Sequence, residues 1–519
     1  MYPGTYSRTQ PDKPAVIHAT TGERVTYAEL DARSNRLAHA LRAHGLKRGD
    51  SIALFCENTT VFFDAAWAAF RSGLYVTAIN RYLPAAEAAY IARDCNARAF
   101  IASASLSEAE GAAALLDEGV LRLALGGPIP GFRSYEETVA SQPAGPIADE
   151  SSGGFMMYSS GTTGKPKGIL RPLPDTAPED GNPAISFGGP ALGYSSETVY
   201  LSLAPLYHGA PLGHSMSVQQ EGGTVVISAR FDPEEALSAI ETHRVTHSQW
   251  VPTMFVRLLK LPPEVRNRYD VSSMRMAIHA AAPCPVEVKR QMIDWWGPVI
   301  EEYYGSTEGA GMTRISSAEW LEHPGSVGRG WGAPLHICDE NGVELPAGQS
   351  GYIYGEVSAP TRYHNDPGKT AEAVHPLHPN WMTVGDIGYL DEDGYLYLTD
   401  RKAFMIISGG VNIYPQQIED ALALHPAIAD VAVIGVPNPD LGEEVKAVVE
   451  PAPGVQPSPA LAQEIMDHVG TRLGKQLTPR SVDFVDALPR LPTGKLYKKA
   501  LRDRYWAEAG ASAGHAAPA

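Results

Sequence analysis

The sequence predicts an α/β protein: a large N-terminal domain of mixed sheets covered by helices, plus a small α+β C-terminal domain. Three observations lead there. The chain has 519 residues, more than one hydrophobic core supports. Strand and helix signals alternate through residues 1–300, the pattern of sheets covered by helices. Near position 400 the character changes to short strands, turns and two further helices. The expected division is 1–400, 401–506 and a disordered tail over 507–519, which is Ala, Gly and Pro with little to bury.

The elements follow in order. Thr26-Tyr27-Ala28-Glu29 reads as a capping box, and Leu30, Leu37 and Leu41 mark one face of the helix it opens. Residues 51–55 read as a buried strand, 61–70 as a helix carrying Trp67, and 75–79 as a strand. Pro84 suits the first turn of a helix running to about position 93. Residues 199–203, 223–228 and 274–279 are strand-like, and Asp232-Pro233 opens a helix. Residues 172–190, rich in Pro, Gly, Asp and Asn, read as a surface loop, either a variable connection or a mobile cover. Beyond 386, turns around 391–394 precede a helix over 415–424, paired strands over 431–436 and 445–450, a helix over 460–473 and a strand over 481–485.

Composition excludes several classes. Net charge −17 argues against nucleic acid as a partner, because neutralising phosphates needs a basic face. Positive charge is local: Lys165 with Lys167, Arg401 with Lys402, and Lys495 with Lys498 and Lys499. Such clusters on an acidic protein suit small anionic ligands. No apolar run reaches the roughly 18 residues of a membrane span, and residues 1–20 hold no apolar signal core. Cys56, Cys95, Cys284 and Cys338 are far apart and read as buried thiols of a reducing compartment. A cytoplasmic protein is expected, for which a homodimer is an admissible assembly.

The segment Tyr158-Ser159-Ser160-Gly161-Thr162-Thr163-Gly164-Lys165-Pro166-Lys167-Gly168 reads as a polyphosphate cradle. Glycines let the backbone approach an anion, hydroxyls donate to phosphate oxygens, and lysines add point charges. It is not the common P-loop, because proline rather than Ser or Thr follows Lys165. In Glu302-Tyr303-Tyr304-Gly305-Ser306-Thr307-Glu308, an aromatic beside a glycine can stack on a flat base, and a carboxylate can hold Mg2+ near phosphates. In Thr383-Val384-Gly385-Asp386 a carboxylate after a glycine can accept both ribose hydroxyls. Arg401-Lys402 with Ser408-Gly409-Gly410, and Leu491-Pro492-Thr493-Gly494-Lys495, complete the set. His243 and His247 have i,i+4 spacing without HExxH, so a surface helix end is read rather than zinc.

In order and spacing these segments resemble the adenylate-forming (ANL) superfamily, and within it the acyl-CoA synthetase and fatty-acid–CoA ligase branch, over about residues 10–505. The resemblance implies a ligase that uses ATP, Mg2+ and coenzyme A on a small-molecule carboxylic acid. The acid becomes acyl-AMP and then acyl-CoA, with release of pyrophosphate and AMP. A stand-alone adenylation module that loads a carrier protein is the alternative. The resemblance also implies that the C-terminal domain is a mobile lid over an N-terminal adenylation and acyl-binding domain.

The family's site residues carry over position by position. Ser159, Ser160, Gly161, Thr162, Thr163, Gly164 and Lys167 match its phosphate loop, with Thr163 and Glu308 at the metal. Tyr304 lies against adenine, with Ala281, Glu302, Tyr303 and Gly305 around it, and Thr307 meets phosphate. Asp386 matches the ribose ligand and Arg401 the second ribose or phosphate ligand, and Gly409 and Gly410 match the loop lining the pantetheine tunnel. Lys495 matches the lysine that bridges carboxylate and α-phosphate. Tyr207, His208 and Gly209 match the segment beside the carboxylate, where His208 either gates the acid or is structural. Trp250, His279, Ala280 and Ala282 match acyl-pocket walls, and their small or apolar character favours a medium- or long-chain fatty acid or another apolar acid. The chain departs from the pattern at Ala403, where Asp or Lys serves as the pivot, and at Phe404, where the family is acidic. The pivot is then a neighbour, or is tuned differently.

Overall fold

The structure, a computed structural model, describes residues 1–159, 166–185, 189–358, 361–401, 405–490 and 496–513. It divides into two compact units. The first comprises Met1–Gln249, Arg268–Ala277 and Ala359–Glu372, and the second Trp250–Asn267, Ile278–Ser358 and Ala373–Ala519.

The first unit holds an eight-stranded sheet in the order Arg362–Tyr363, Lys167–Leu170, Gly154–Ser159, Tyr75–Ala78, Ser51–Phe55, Ala97–Ser103, Leu121–Leu125 and Arg133–Ser134. Its central strands run parallel, and every residue of Ser51–Phe55 is buried, as a strand covered on both faces must be. Two strands at one edge run antiparallel, and there Gly154–Ser159 turns back on Lys167–Leu170. A second sheet of this unit sets residues 247–249 beside Val199–Ser202, Thr224–Ile227, Pro14–His18 and Arg24–Thr26. The helix Tyr27–Ala43 starts at the expected capping box. The Thr26 hydroxyl accepts from the Glu29 N–H at 3.2 Å, and the Glu29 carboxylate accepts from the Thr26 N–H at 2.8 Å. Leu30, Leu37 and Leu41 are fully buried beneath it.

In the second unit, Leu335–Cys338, Gly351–Glu356, Asp386–Leu390 and Leu396–Arg401 form an antiparallel sheet joined by Trp381–Met382. The sheet changes between Arg401 and Ile406. Beyond it Val411–Ile413, Ile406–Ser408, Gly442–Pro451 and Ile428–Asn438 build another, with Ser481–Phe484 parallel to Gly442–Pro451. Its strands alternate between two cores, as period-2 side chains do. Val431 and Val433 pack with Ile418, Leu422, Ile465 and Val469 of two helices. Ala432, Ile434 and Val436 pack with Leu488 and Leu501 on the other face. With both faces covered, the segment reads as one continuous apolar run.

Three expectations change. The last helix runs over Lys498–Ala513, so residues 507–513 are helical rather than a disordered tail. Leu501 anchors this helix, and the alanines after Trp506 extend it at little entropic cost. Residues 172–190 are not wholly a surface loop: Asn182 and Ile185 are buried, and Asn182 donates to the Gly153 carbonyl at 2.8 Å. His243 does end a helix, but His247 lies buried in the strand His247–Trp250 beside the Tyr194 ring.

Asp64 sits at 1% exposure on the helix Val61–Arg71. Burial pushes its carboxyl up to about 7, against the pull of Arg33 at 3.9 Å. A carboxyl raised on folding binds more protons in the native than in the unfolded state. Its contribution to stability is therefore complete below the unfolded value of 3.8 and is lost as pH rises through about 7. The loss amounts to roughly 4 kcal/mol. Urea unfolding of Asp64→Asn is expected to lack this slope and to exceed the wild type at about pH 8. An unchanged slope would remove Asp64 as its source.

Candidate active site

The cradle segment lies at a β-hairpin. Tyr158 pairs with Gly168 and Ser159 with Lys167, so the strands on either side of it run antiparallel. A P-loop instead runs from a strand into a helix. Ser160, Gly161, Thr162, Thr163, Gly164 and Lys165 lie outside the described residues, as do Lys402, Ala403, Phe404 and Lys495. Lys167, expected as a point charge for phosphate, donates to Asp366 Oδ2 at 2.8 Å. Their side chains are 17% and 36% exposed.

In the same unit Tyr207 is buried, while His208 and Gly209 are half-buried where the helix Gly209–Gln220 begins. Asn58 sets this segment. Its Oδ1 accepts from the Leu206 N–H at 2.9 Å, and its Nδ2 donates to the Ser228 carbonyl at 3.0 Å. Tyr207 and His208 hold their rings 4.4 Å apart. Burial raises the Tyr207 hydroxyl pKa, and that hydroxyl has no hydrogen-bond partner among the described residues.

In the second unit the structure joins two segments that the sequence keeps 82 residues apart: Tyr304 donates through its hydroxyl to Asp386 Oδ2 at 2.8 Å. Tyr304 rests on Val327, Leu335, Ile337, Ile353 and Leu396. Its N–H donates to Thr313 Oγ1 at 3.2 Å and its carbonyl accepts from the Thr313 N–H at 2.9 Å. Asp386 begins its strand after Gly385, which has φ +81°. Thr383 Oγ1 accepts from the Gly385 N–H at 3.1 Å, so the turn is held by a hydroxyl one residue before Val384. Across the ladder Asp386 faces Arg401 directly. Gly305 and Thr307 are exposed and Glu308 is half-buried on the loop after Tyr304. Gly409 and Gly410, at φ +58° and +81°, form the two-residue turn between Ile406–Ser408 and Val411–Ile413, a conformation that favours glycine at both positions.

Several other expected site residues are interior. Glu302 is 4% exposed, and its carboxylate accepts from Lys289 Nζ at 2.7 Å. Burial raises Glu302 despite Lys289, whose ammonium also lies 4.9 Å from the Trp320 ring centroid. The Glu302 charge is thereby matched inside the fold. His279 is fully buried 3.5 Å from Glu302, and burial with the Lys289 charge holds it neutral. Trp250 is fully buried between Phe255, 5.7 Å away, and Trp296, 5.3 Å away. Trp250 and His279 are thus interior side chains. Ala281 and Ala282 are exposed, Ala280 and Tyr303 are buried, and Ala281 has φ +76°. Left-handed backbone at an alanine is strain of about 1 kcal/mol or more, of the kind found at ligand sites.

Sequence reading missed Asp366 and Lys289, and gave Thr383 no role. Asn365-Asp366-Pro367 carries a turn signal, but its partner Lys167 is 199 residues away. Breaking a buried ion pair strands one charge. Lys289→Ala is expected to lower the unfolding free energy by about 3–5 kcal/mol in urea titration. A loss below about 1 kcal/mol would mean that Glu302 is satisfied without it.

Two family models match the chain: AMP-binding enzyme over residues 5–360, and AMP-binding enzyme C-terminal domain over residues 417–495. A feruloyl-CoA synthase of Amycolatopsis sp is 34% identical over 507 residues, covering 97% of this chain and 98% of that protein. The long-chain-fatty-acid–CoA ligase FadD13 of Mycobacterium tuberculosis is 30% identical over 498 residues, covering 95% of each. Among solved structures, ATP-bound MatB from Rhodopseudomonas palustris superposes with a TM-score of 0.80 at 28% identity, covering 97% of this chain and 99% of that one.

Proposed function

Because this chain belongs to the AMP-binding enzyme family, within the adenylate-forming superfamily, we propose that it converts an apolar carboxylic acid, alkyl or aryl, into its CoA thioester. It is an AMP-forming acid–thiol ligase that uses ATP, Mg2+ and CoA. The observation that carries the reading is the Tyr304–Asp386 hydrogen bond, which sets an aromatic ring beside a carboxylate. An adenosine offers the matching surfaces: a flat base and a ribose diol.

The chemistry has two displacements. A carboxylate oxygen of the acid attacks the α-phosphorus of ATP, an acyl–AMP anhydride forms, and the bond to pyrophosphate breaks. The sulfur of CoA then attacks the acyl carbon, and AMP leaves with the electron pair of the anhydride bond. In this reading Tyr304 stacks on adenine, Asp386 and Arg401 hold the ribose, and Thr307 donates to phosphate. Lys167 and the cradle residues Ser159–Gly164 hold the departing pyrophosphate, and His208 orients the acid. Residues 401–506 act as a lid carrying Lys495, whose ammonium bridges the carboxylate and the α-phosphate. Glu308 offers one half-buried carboxylate, the donor set expected for Mg2+ carried mainly by phosphate oxygens. Glu308 and Thr163 would hold that ion, which supplies charge neutralisation when bound.

Two features support an apolar acid. Gly209, Ala280 and Ala282 leave room, and the buried Glu302 carboxylate is matched by Lys289, so it is not available to pair an α-ammonium. Pyrophosphate release is the test, measured over alkyl, aryl and amino acids with and without CoA. Alkyl or aryl acids are expected to drive release, with CoA consumed in step. Release with amino acids alone would refute the substrate class, and acyl transfer to a carrier protein but not to CoA would replace the acceptor.

Lys495→Ala separates the half-reactions. It is expected to slow adenylate formation by about a hundred- to a thousandfold, the loss typical of one preorganised donor, and to spare thioester formation from supplied acyl-AMP. Equal loss in both would remove Lys495 from the first step.

A further inference from the structure

We infer that Asp366 is a positioning residue of the reaction: its carboxylate holds the Lys167 ammonium in place for the pyrophosphate oxygens of ATP. The inference rests on the proposed reading of residues 158–168 as the phosphate cradle. Lys167 stands where the hairpin closes, opposite Ser159. The two oxygens of Asp366 divide their work. Oδ1 accepts from the Lys369 N–H at 2.8 Å at the start of the helix Pro367–Ala373, and Oδ2 accepts from Lys167. The helix therefore fixes the direction of the carboxylate. An ammonium has three N–H donors, so one on Asp366 leaves two for phosphate.

The loop that carries Asp366 is tied to one strand of the hairpin through Asp94 and to the other directly. Tyr158 donates to Asp94 Oδ2 at 2.6 Å, and Asn365 donates through Nδ2 to Asp94 Oδ1 at 3.2 Å. His364 Nε2 hydrogen-bonds the Asp94 carbonyl at 2.9 Å, and the His364 N–H donates to the Gly168 carbonyl at 2.8 Å. A Cβ at Gly168 would come within 3.0 Å of the Tyr158 ring and 3.2 Å of His364 Cβ, so glycine is what lets these strands and the loop close. Asn365 turns the chain at φ +56°. The hydrogen bond from Lys167, followed by that from the Lys369 N–H, holds the Asp366 carboxyl below the usual carboxylate range. Part-exposed ion pairs are weak, so this one orients Lys167 without withholding it from a polyphosphate.

Asp366→Asn keeps an oxygen for the helix and removes the charge that orients Lys167. Its ATP KM, its inhibition by pyrophosphate and its acyl transfer from supplied acyl-AMP to CoA would be compared with Lys167→Ala and the double variant. The KM for ATP is expected to rise about tenfold, pyrophosphate inhibition to weaken similarly, and acyl transfer to persist. In the Lys167→Ala background Asp366→Asn should add nothing. Equal loss in both half-reactions, or a full additional loss in that background, would overturn the role. If Lys167→Ala leaves the ATP KM at the wild-type value, the cradle reading falls too. If Lys167→Ala raises the KM and Asp366→Asn does not, only the role of Asp366 falls.

Discussion

The hydrogen bond from Tyr304 to Asp386 is the constraint around which the second unit is built. It ties the end of a loop that rests on an apolar cluster to the first residue of an antiparallel strand. An aromatic face and a carboxylate can grip one nucleoside only if their separation is set in advance. A loop alone would leave Tyr304 free to rotate, and ordering a side chain costs up to about 2 kcal/mol of entropy. The ladder that opposes Arg401 to Asp386 extends the same frame by one strand. Thr383 and Gly385 then make the turn that delivers Asp386.

Charge is organised by burial in two different ways. Lys289 and Glu302 are both shut away from water, where each needs the other. That pair is structural, and it matches the Glu302 carboxylate beside His279. Lys167 and Asp366 are part-exposed, so their attraction is screened and a more highly charged ligand can share the ammonium. An acidic chain can thus present local cations to an anionic substrate while keeping their carboxylate partners close.

Local signals were legible wherever a few neighbouring residues decide the structure. The capping box at Thr26–Glu29, the buried strand Ser51–Phe55 and the paired strands near 431–436 and 445–450 fall where the sequence predicts them. Errors came where distant packing decides. Residues 507–513 look featureless, yet they continue a helix anchored by Leu501. His247 is four residues from His243, but it belongs to a strand beside Tyr194. Asn182 pins a loop that composition alone places at the surface.

By itself the sequence determined the chemistry on offer: a Gly, hydroxyl and Lys cradle, an aromatic followed by Thr307 and Glu308, and Asp386 after a glycine. These are short motifs whose residue types and order carry their meaning, and the family match follows from them. Only the tertiary structure decided which charges are available. Glu302 and Lys167 are each one residue in a promising motif. The first is cancelled by Lys289 across 13 positions, and the second is steered by Asp366 across 199. Ion pairing acts through space over a few ångströms, so it has no fixed spacing along the chain for a sequence to display.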